Sequence, residues 1–207
     1  MEITSAEKNK KNRDRMSIYI DDKFAFTIGE DDFLSMNLYE KKEITTGELK
    51  YIKNTINFRS AKAAAVRYLS MKLRTEKEVR QKLREECYDS ENIDSVIEEL
   101  KAIGYINNKL YAQKFVFDRS KLKPKSKKML KLELQSRGIS QEIADEVLDD
   151  WKVDEAIVAE ELVKRRFGKY DLQDEAILKK VYMFLNHRGY NRRLIEEVVN
   201  KLNENRE

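Results

Sequence analysis

The stretch LKLELQSRGISQEIADEVL at 130–148 recurs in altered form as VYMFLNHRGYNRRLIEEVV at 181–199, with matched positions 51 residues apart. In both copies apolar residues at helical spacing lead into Arg-Gly, and a second helical pattern follows. Gly138 and Gly189 suit the left-handed residue that ends many helices, because a Cβ makes that conformation costly. The repeat therefore predicts pairs of helices joined by the same short turn.

The residues around these turns extend the pattern to a third copy. Ser140 and Asn191 are good N-caps for the helix that follows each Arg-Gly turn. A looser copy lies upstream, where Cys87 holds the glycine position as a small buried side chain, and Thr75 with Glu78 predicts a capping box before it. A further helical pattern precedes each pair, at 61–73, 108–120 and 153–166.

This arrangement predicts a mainly all-α chain, a tandem array of three three-helix units that forms an elongated, curved body. The expected domains are an N-terminal extension at 1–60 and helical units at 61–106, 107–151 and 152–207. Only 6 Gly and 1 Pro occur in 207 residues, which favours helices over a sandwich or barrel.

The extension differs from the array, because apolar and polar residues alternate on both sides of Asp21-Asp22. The alternation predicts a small β-hairpin. A helix is expected to begin near Thr46, with Glu48 in its first turn but without a capping box. The buried positions of the hairpin are expected to be Ile18, Ile20, Phe24, Phe26 and Ile28.

Composition excludes several functional classes. The single cysteine, Cys87, excludes an internal disulfide framework and fits a cytoplasmic protein. The chain has no apolar run long enough for a signal peptide or membrane span. His187 is the only histidine, and no glycine-rich phosphate loop occurs, so we expect no catalytic residue, metal or cofactor.

Charge follows the repeat rather than the whole chain, whose net charge is only +4. Residues 62–84 hold eight Lys/Arg and two acids, whereas 85–100 hold seven acids and no Lys/Arg. Residues 107–137 hold ten basic residues and two acids, whereas 138–151 hold five acids and no Lys/Arg. The third unit alternates less strongly. Helix dipoles explain part of this pattern, but segregation by whole helix favours contact with a phosphate-lined partner.

The densest basic cluster is KLKPKSKKMLK at 121–131, where Pro124 interrupts helical continuity. Exposed lysines on such a connection are typical of a phosphate contact, and a solvated linker is the alternative. A helix-turn-helix DNA-binding regulator is a further alternative. The last helices of the first two units begin with acids, which disfavours duplex reading there, while Arg192 and Arg193 keep it open for the third unit. Aromatic residues at helical spacing are interpreted as core: Tyr68, Tyr105, Tyr111, Phe115, Phe117, Tyr182 and Phe184.

Three segments in order resemble the RecX family, bacterial regulators of the RecA recombinase. AVRYLSMKLRTEKEVRQKL at 65–83 is similar to the family's first signature, and LKAIGYINNKLYAQKFVFDR at 100–119 to the join between its first two units. KPKSKKMLKLELQSRGIS at 123–140 resembles its basic second motif. Asn107 and Asn108 stand where an acidic pair is usual. The resemblance spans about 60–200, and the N-terminal region looks like an extension that part of the family carries.

The resemblance implies a non-enzymatic cytoplasmic monomer that binds the RecA–DNA filament and inhibits its recombinase, ATPase and coprotease activities in DNA repair and the SOS response. It also implies nonspecific binding of single- and double-stranded DNA. Acidic third helices, with Glu98, Glu99, Asp145 and Glu146, are expected to face basic surfaces of the recombinase. The candidate contacts for DNA or the filament within or beside the matching motifs are Arg67, Lys72, Arg74, Lys121, Lys123, Lys125, Lys127, Lys128, Lys131 and Arg137. Charge alone adds Arg165, Arg166, Lys179, Lys180, Arg188 and Arg193.

Overall fold

The computed structural model describes residues 1–204, and the chain begins with an antiparallel sheet. Its strands pair in the order β1 (Ile3–Lys8), β2 (Arg15–Ile20) and β3 (Lys23–Gly29). β2 and β3 form the predicted hairpin, and both residues of the Asp21-Asp22 turn have positive φ, as in a type I′ turn. The sequence does not predict β1, because most of its side chains are exposed and no apolar face marks it.

A β-bulge changes which hairpin residues are buried. Ile18 pairs with Phe26 but Tyr19 pairs with Phe24, so β3 carries one extra residue at this point. Beyond the bulge Phe24 lies on the opposite face from Phe26 and is 59% exposed. The expectation that Phe24 is buried is therefore wrong, whereas the other four predicted positions are buried.

The chain then forms α1 (Glu30–Ser35), α2 (Thr46–Tyr51), a π-helical segment (Ile52–Asn57) and α3 (Phe58–Met71). The last three follow one another without a break, so one helical run passes through residue 60. The helix expected near Thr46 is present, but the expectation that it lacks a capping box is wrong. Thr45 is the N-cap, which puts Glu48 at the third helical position, and their side chains and backbones bond reciprocally.

Buried Arg15 ties the sheet to the first three-helix unit. Its guanidinium donates to the Thr27 hydroxyl and carbonyl and to Oδ1 of Asn57, and it lies 4.1 Å from the ring centre of Tyr88. The Thr27 hydroxyl in turn donates to the carbonyl of Cys87 at 2.7 Å. Burial lowers the pKa of Arg15, whose hydrogen-bond acceptors are neutral. The network joins strand, π-helical segment and the turn near residue 87.

The helical array follows the predicted repeat. The first unit contains α3, α4 (Glu76–Glu85) and α5 (Ser90–Ala102), and the second contains α6 (Asn108–Leu122), α7 (Lys127–Ser136) and α8 (Gln141–Asp150). The third contains α9 (Glu155–Phe167), α10 (Glu175–Asn186) and α11 (Arg192–Glu204). The mainly helical fold class with a small N-terminal β element is confirmed.

The turn chemistry read from the sequence is also confirmed. Gly138 and Gly189 have φ of 84° and 87°, and Cys87 has φ of 63° at the corresponding place. Ser140 accepts a hydrogen bond from the backbone of its helix, as does Asn191, and Thr75 forms its capping box. Cys87 itself is half-buried rather than buried, and its thiol donates to Oδ1 of Asn9 at 3.3 Å.

The chain divides into two compact units, Met1–Asn107 and Asn108–Glu207. In the first, one core lies under the sheet and another lies among α3, α4 and α5. In the second, α6–α8 surround one core and α9–α11 another. Within residues 1–204, no helix combines the length and apolar character that crossing a bilayer requires.

Candidate nucleic-acid interface

Three of the predicted contacts, Arg67, Lys72 and Arg74, lie in the unit Met1–Asn107. Arg67 is exposed on α3, and Lys72 is exposed directly after it. The Arg74 guanidinium instead lies 4.1 Å from the ring centre of Tyr68 and 3.6 Å from the Glu78 carboxylate. Its Nε is buried and has no hydrogen-bond partner within residues 1–204. Arg74 is thus held inside its three-helix unit, whereas Arg67 and Lys72 are accessible.

The basic connection between α6 and α7 contains both free and paired lysines. Lys123 and Lys128 are exposed and have no ion pair in the described part of the chain. Lys121 is also exposed, with its Nζ 3.9 Å from the ring centre of Phe117. Lys125 pairs with Glu133, and Lys131 lies 2.5 Å from Asp145. Only part of the predicted cluster is therefore free to bind an anion.

This connection lies directly against the turn between α10 and α11. The backbone N–H of Ser126 donates to the carbonyl of Arg188 at 3.0 Å. A Cβ at Gly189 would stand 2.5 Å from Ser126 Oγ and 2.8 Å from the Met129 Cβ, so the two backbones approach closely. The backbone N–H of Lys127 donates to Glu155 of α9. The backbones at Ser126 and Arg188, 62 positions apart in the chain, are thereby brought together with the basic residues next to them.

Three arginines form a cluster at this turn: Arg165 and Arg166 at the end of α9, and Arg188 after α10. The guanidiniums of Arg166 and Arg188 lie 4.7 Å and 3.8 Å from the ring centre of Phe184. Among residues 1–204 none of the three arginines forms an ion pair with a carboxylate. Burial lowers the pKa of Arg188, and Arg166 and Arg165 lower it further because like charges repel. This arginine cluster is an uncompensated positive site.

The second three-helix unit contains a similar set of arginines beside an aromatic ring, but a carboxylate lies among them. Arg137, 51 positions before Arg188, donates to the carbonyl four residues back, as Arg188 donates to the carbonyl of Phe184, and it lies 4.8 Å from the ring centre of Phe115. Arg119 lies 5.2 Å from that ring and 3.4 Å from Glu133. The position of Glu133 in the repeat corresponds to Phe184. At this repeat position the second three-helix unit thus has the carboxylate of Glu133 among its cations, whereas the third three-helix unit has the ring of Phe184.

Other predicted contacts stay separate from the junction. Lys179 and Lys180 are exposed on α10, and Arg193 is exposed in the first turn of α11. The structure gives no direct contact between these three side chains and the arginine cluster within residues 1–204. Phe184 is the part of the site that sequence reasoning missed, because it was interpreted as a core residue. The assignment of Tyr105 and Phe117 to the core is wrong, since they are 55% and 56% exposed.

The acids of the third helices have partners inside their own units. Glu99 of α5 lies 2.5 Å from Lys62, and Glu98 lies 3.3 Å from Lys101. In the second unit Glu146 lies 2.6 Å from Lys109, and Asp145 pairs with Lys131 as described above. The alternation of charge therefore serves packing between helices as well as any partner. Within residues 1–204 no group of three His, Cys, Asp or Glu side chains is arranged to hold a metal ion.

Comparison with known proteins agrees with this architecture. Family models described as the regulatory protein RecX N-terminal domain, the RecX first three-helix domain and the RecX second three-helix domain match residues 1–45, 61–100 and 107–148. The regulatory protein RecX of Clostridioides difficile is 33% identical over 202 residues, which is 97% of this chain and 95% of that one. The chain belongs to the RecX family. The RecX matches thus cover the N-terminal sheet of this chain as well as its first two three-helix units.

Further RecX proteins extend the comparison. The regulatory protein RecX of Clostridium beijerinckii is 31% identical over 204 residues, covering 97% of this chain and 95% of the relative. A crystal structure of regulatory protein RecX covers 96% of this chain and 98% of its own, with a TM-score of 0.65 at 23% identity, which speaks for the fold alone. RecX from Lactobacillus salivarius covers 71% of this chain and 97% of its own, with a TM-score of 0.59 at 28% identity.

Proposed function

We propose that this RecX protein binds the RecA–DNA filament in the cytoplasm and inhibits its ATPase, recombinase and coprotease activities in DNA repair and the SOS response. The name regulatory protein, shared by its relatives, supports a role that acts on another protein. A filament offers both protein and phosphate, and phosphate contacts need cations that are not already neutralised.

The observation that carries this proposal is the junction between the α6–α7 connection and the arginine cluster. Lys123, Lys128 and the three arginines supply free cations from two helical units, and the Ser126–Arg188 hydrogen bond fixes these units against each other. A fixed set of cations loses less conformational entropy on binding phosphate than cations on a mobile tail. This arrangement suits a phosphate backbone of regular spacing.

The deciding experiment measures ATP hydrolysis by a RecA filament on single-stranded DNA as the protein is added. We expect hydrolysis to fall with rising protein concentration and to saturate. Unchanged hydrolysis, at concentrations where binding to the filament is complete, would overturn the proposal. A duplex sequence bound about a thousandfold or more tighter than random duplex would instead support the helix-turn-helix regulator.

A pair of double variants tests the contact surface with equal changes of charge. Arg166→Gln/Arg188→Gln removes two uncompensated cations, whereas Arg119→Gln/Arg137→Gln removes two cations that lie near Phe115 in the second three-helix unit, where Glu133 also lies. We expect the first pair to weaken filament binding and to reduce its salt dependence by about 1.4 in log–log slope. The second pair should change that slope by much less. Equal effects would show that the arginine cluster has no special part in binding.

A further inference from the structure

The outer face of the N-terminal sheet borders a cleft of about 600 Å³ within the unit Met1–Asn107. One wall is formed by β2 and β3 with Tyr19 and Phe24, and the other by the turn between α4 and α5 with Cys87 and Tyr88. The volume lies in the range of about 300–1,000 Å³ that is typical of ligand sites. This cleft is separate from the basic junction, all of whose residues belong to the other compact unit.

The cleft presents an aromatic surface on strand β3. The bulge in β3 turns the Phe24 ring away from the core, and the ring meets that of Tyr19 edge to face at 5.9 Å. The Tyr19 hydroxyl donates a hydrogen bond to Glu7, which raises the pKa of Tyr19. An exposed ring on a strand is the kind of platform on which single-stranded nucleic acids stack their bases.

The charges of the cleft leave an excess of free cations. Lys10, Lys11, Lys53 and Arg84, here called the rim cations, line the cleft and form no ion pair among residues 1–204. Most of the other charged groups are engaged. Lys8 lies 3.0 Å from Glu30, and Glu7 accepts a hydrogen bond from the Tyr19 hydroxyl. Asp89 caps α5 by accepting from the backbone N–H of Asn92 at 2.9 Å. Glu91 is the remaining carboxylate of the lining.

The edge of the sheet argues against a peptide added as a further strand. β3 is an edge strand, but its Thr27 carbonyl already accepts hydrogen bonds from Asn57 at 2.8 Å and from Arg15 at 3.2 Å. Strand addition needs free carbonyl and N–H groups along such an edge. The ring and the rim cations, in contrast, stay accessible.

We propose that this cleft binds a segment of single-stranded nucleic acid, with one base stacked on Phe24 and the adjoining phosphates held by the rim cations. This assigns a ligand to the N-terminal sheet and does not depend on the basic junction of the other compact unit. Stacking on one ring and contact with several phosphates give affinity without sequence preference.

Cys87 provides a built-in reporter for this site. It is the only cysteine of the chain, is half-buried and lines the cleft, so its rate of alkylation by iodoacetamide reports whether the cleft is occupied. We expect a short oligothymidylate to slow the alkylation severalfold in the full chain. Inorganic phosphate should protect far less, because it brings no base to the Phe24 ring.

Matched variants separate the ring from the charges. Phe24→Ala should raise the oligothymidylate concentration for half-protection by about tenfold, whereas Tyr39→Ala, an equally exposed ring outside the cleft, should leave it unchanged. Lys10→Gln/Lys11→Gln should also raise this concentration and should flatten its salt dependence. The control with the same charge change is Lys42→Gln/Lys50→Gln, two exposed lysines outside the cleft.

Two outcomes would overturn the inference. The first is an alkylation rate that stays constant while fluorescence anisotropy shows the oligothymidylate fully bound elsewhere on the chain. The second is protection of Cys87 by recombinase protein without DNA but not by oligothymidylate, which would make the cleft a protein contact. Neither outcome bears on filament inhibition, since that is measured separately by ATP hydrolysis.

Discussion

Tyr190 is a buried tyrosine at a position where the repeat has an aliphatic residue. It corresponds to Ile139, and it is 2% exposed with a hydroxyl that has no hydrogen-bond partner in the described residues. An unsatisfied buried hydroxyl costs free energy, because it has lost its bonds to water. We expect Tyr190→Phe to raise the free energy of unfolding by about 1 kcal/mol. Urea unfolding at neutral pH measures this, with Tyr105→Phe as an exposed control.

The same tyrosine predicts a loss of stability in alkali. Burial, followed by the charge of Glu155, raises the pKa of Tyr190 from 10.0 to about 12. Because the raised pKa belongs to the folded state, the stabilisation is complete below pH 10.0 and is lost as the pH rises toward about 12. The urea midpoint of the native chain should therefore fall more steeply than that of Tyr190→Phe between about pH 10 and about pH 12. If the urea midpoints of the two proteins fell in parallel with pH, the raised pKa of Tyr190 would be contradicted.

Glu133 lies beside two cations, of which Lys125 is a predicted contact and Arg119 is not. Its carboxylate pairs with Lys125, and Arg119 Nε lies 3.4 Å from its other oxygen without hydrogen-bond geometry. We expect Glu133→Gln to free both cations, to raise affinity for single-stranded DNA and to steepen its salt dependence by about one in log–log slope. Glu161→Gln, at an exposed site on α9, makes the same change of net charge. If both variants gain the same affinity for single-stranded DNA, the release of the cations paired with Glu133 is not the cause of the gain.

Residue types at turns could be read from the sequence, whereas partners of charged side chains could not. Gly138 and Cys87 were identifiable because the left-handed conformation restricts the residues that hold it. The pairing of Lys125 with Glu133 depends on how the connection before α7 folds back, which no spacing rule encodes. Phe24 was misassigned because a bulge adds one residue to β3 and reverses the alternation.

The turn between α10 and α11 joins two helical elements by a close backbone approach. At Gly189 a Cβ would meet Ser126 Oγ, which caps α7, and the Met129 Cβ, and φ is +87°. Gly104 has a similar φ of +79° but nothing within 4 Å of its Cβ position. We expect Gly189→Ala to cost about 3 kcal/mol and Gly104→Ala about 1 kcal/mol, the difference arising from the clash. Urea unfolding followed by circular dichroism compares them, and equal costs would refute the clash.

Helices of the array were predictable, because apolar periodicity and capping residues agree along most of them. The elements of the N-terminal region were less predictable from the sequence. β1 is held by its ladder with β2 rather than by a buried face, and it therefore carries little signal. The π-helical segment between α2 and α3 also has no pattern of its own. Its buried Asn57 bonds to the Thr27 carbonyl, a tertiary contact that propensity does not reveal.

In the molecule as a whole, the basic helices contain both paired and unpaired cations, which the sequence alone does not distinguish. Some cations are paired with acids of neighbouring helices, such as Lys109 with Glu146 and Lys131 with Asp145. Others, such as Lys123 and Lys128, have no such partner in the described chain. Partly exposed ion pairs contribute little to stability, about 0–1 kcal/mol each, but they withdraw their cations from binding. The affinity for a polyanion should therefore depend on the number of unpaired cations rather than on the net charge of the chain.

Two triple variants test this at constant net charge. Lys109→Gln/Lys125→Gln/Lys131→Gln removes three paired lysines, and Lys123→Gln/Lys128→Gln/Lys179→Gln removes three unpaired ones. Each phosphate contact on a single strand contributes about 0.7 to the log–log salt slope, so the second triple should lower the slope by about two. The first should lower it by less than about one, since its cations already face carboxylates. Filament binding titrated over a range of salt concentrations gives both slopes. Equal slopes would mean that overall charge, rather than pairing within the fold, governs the interaction.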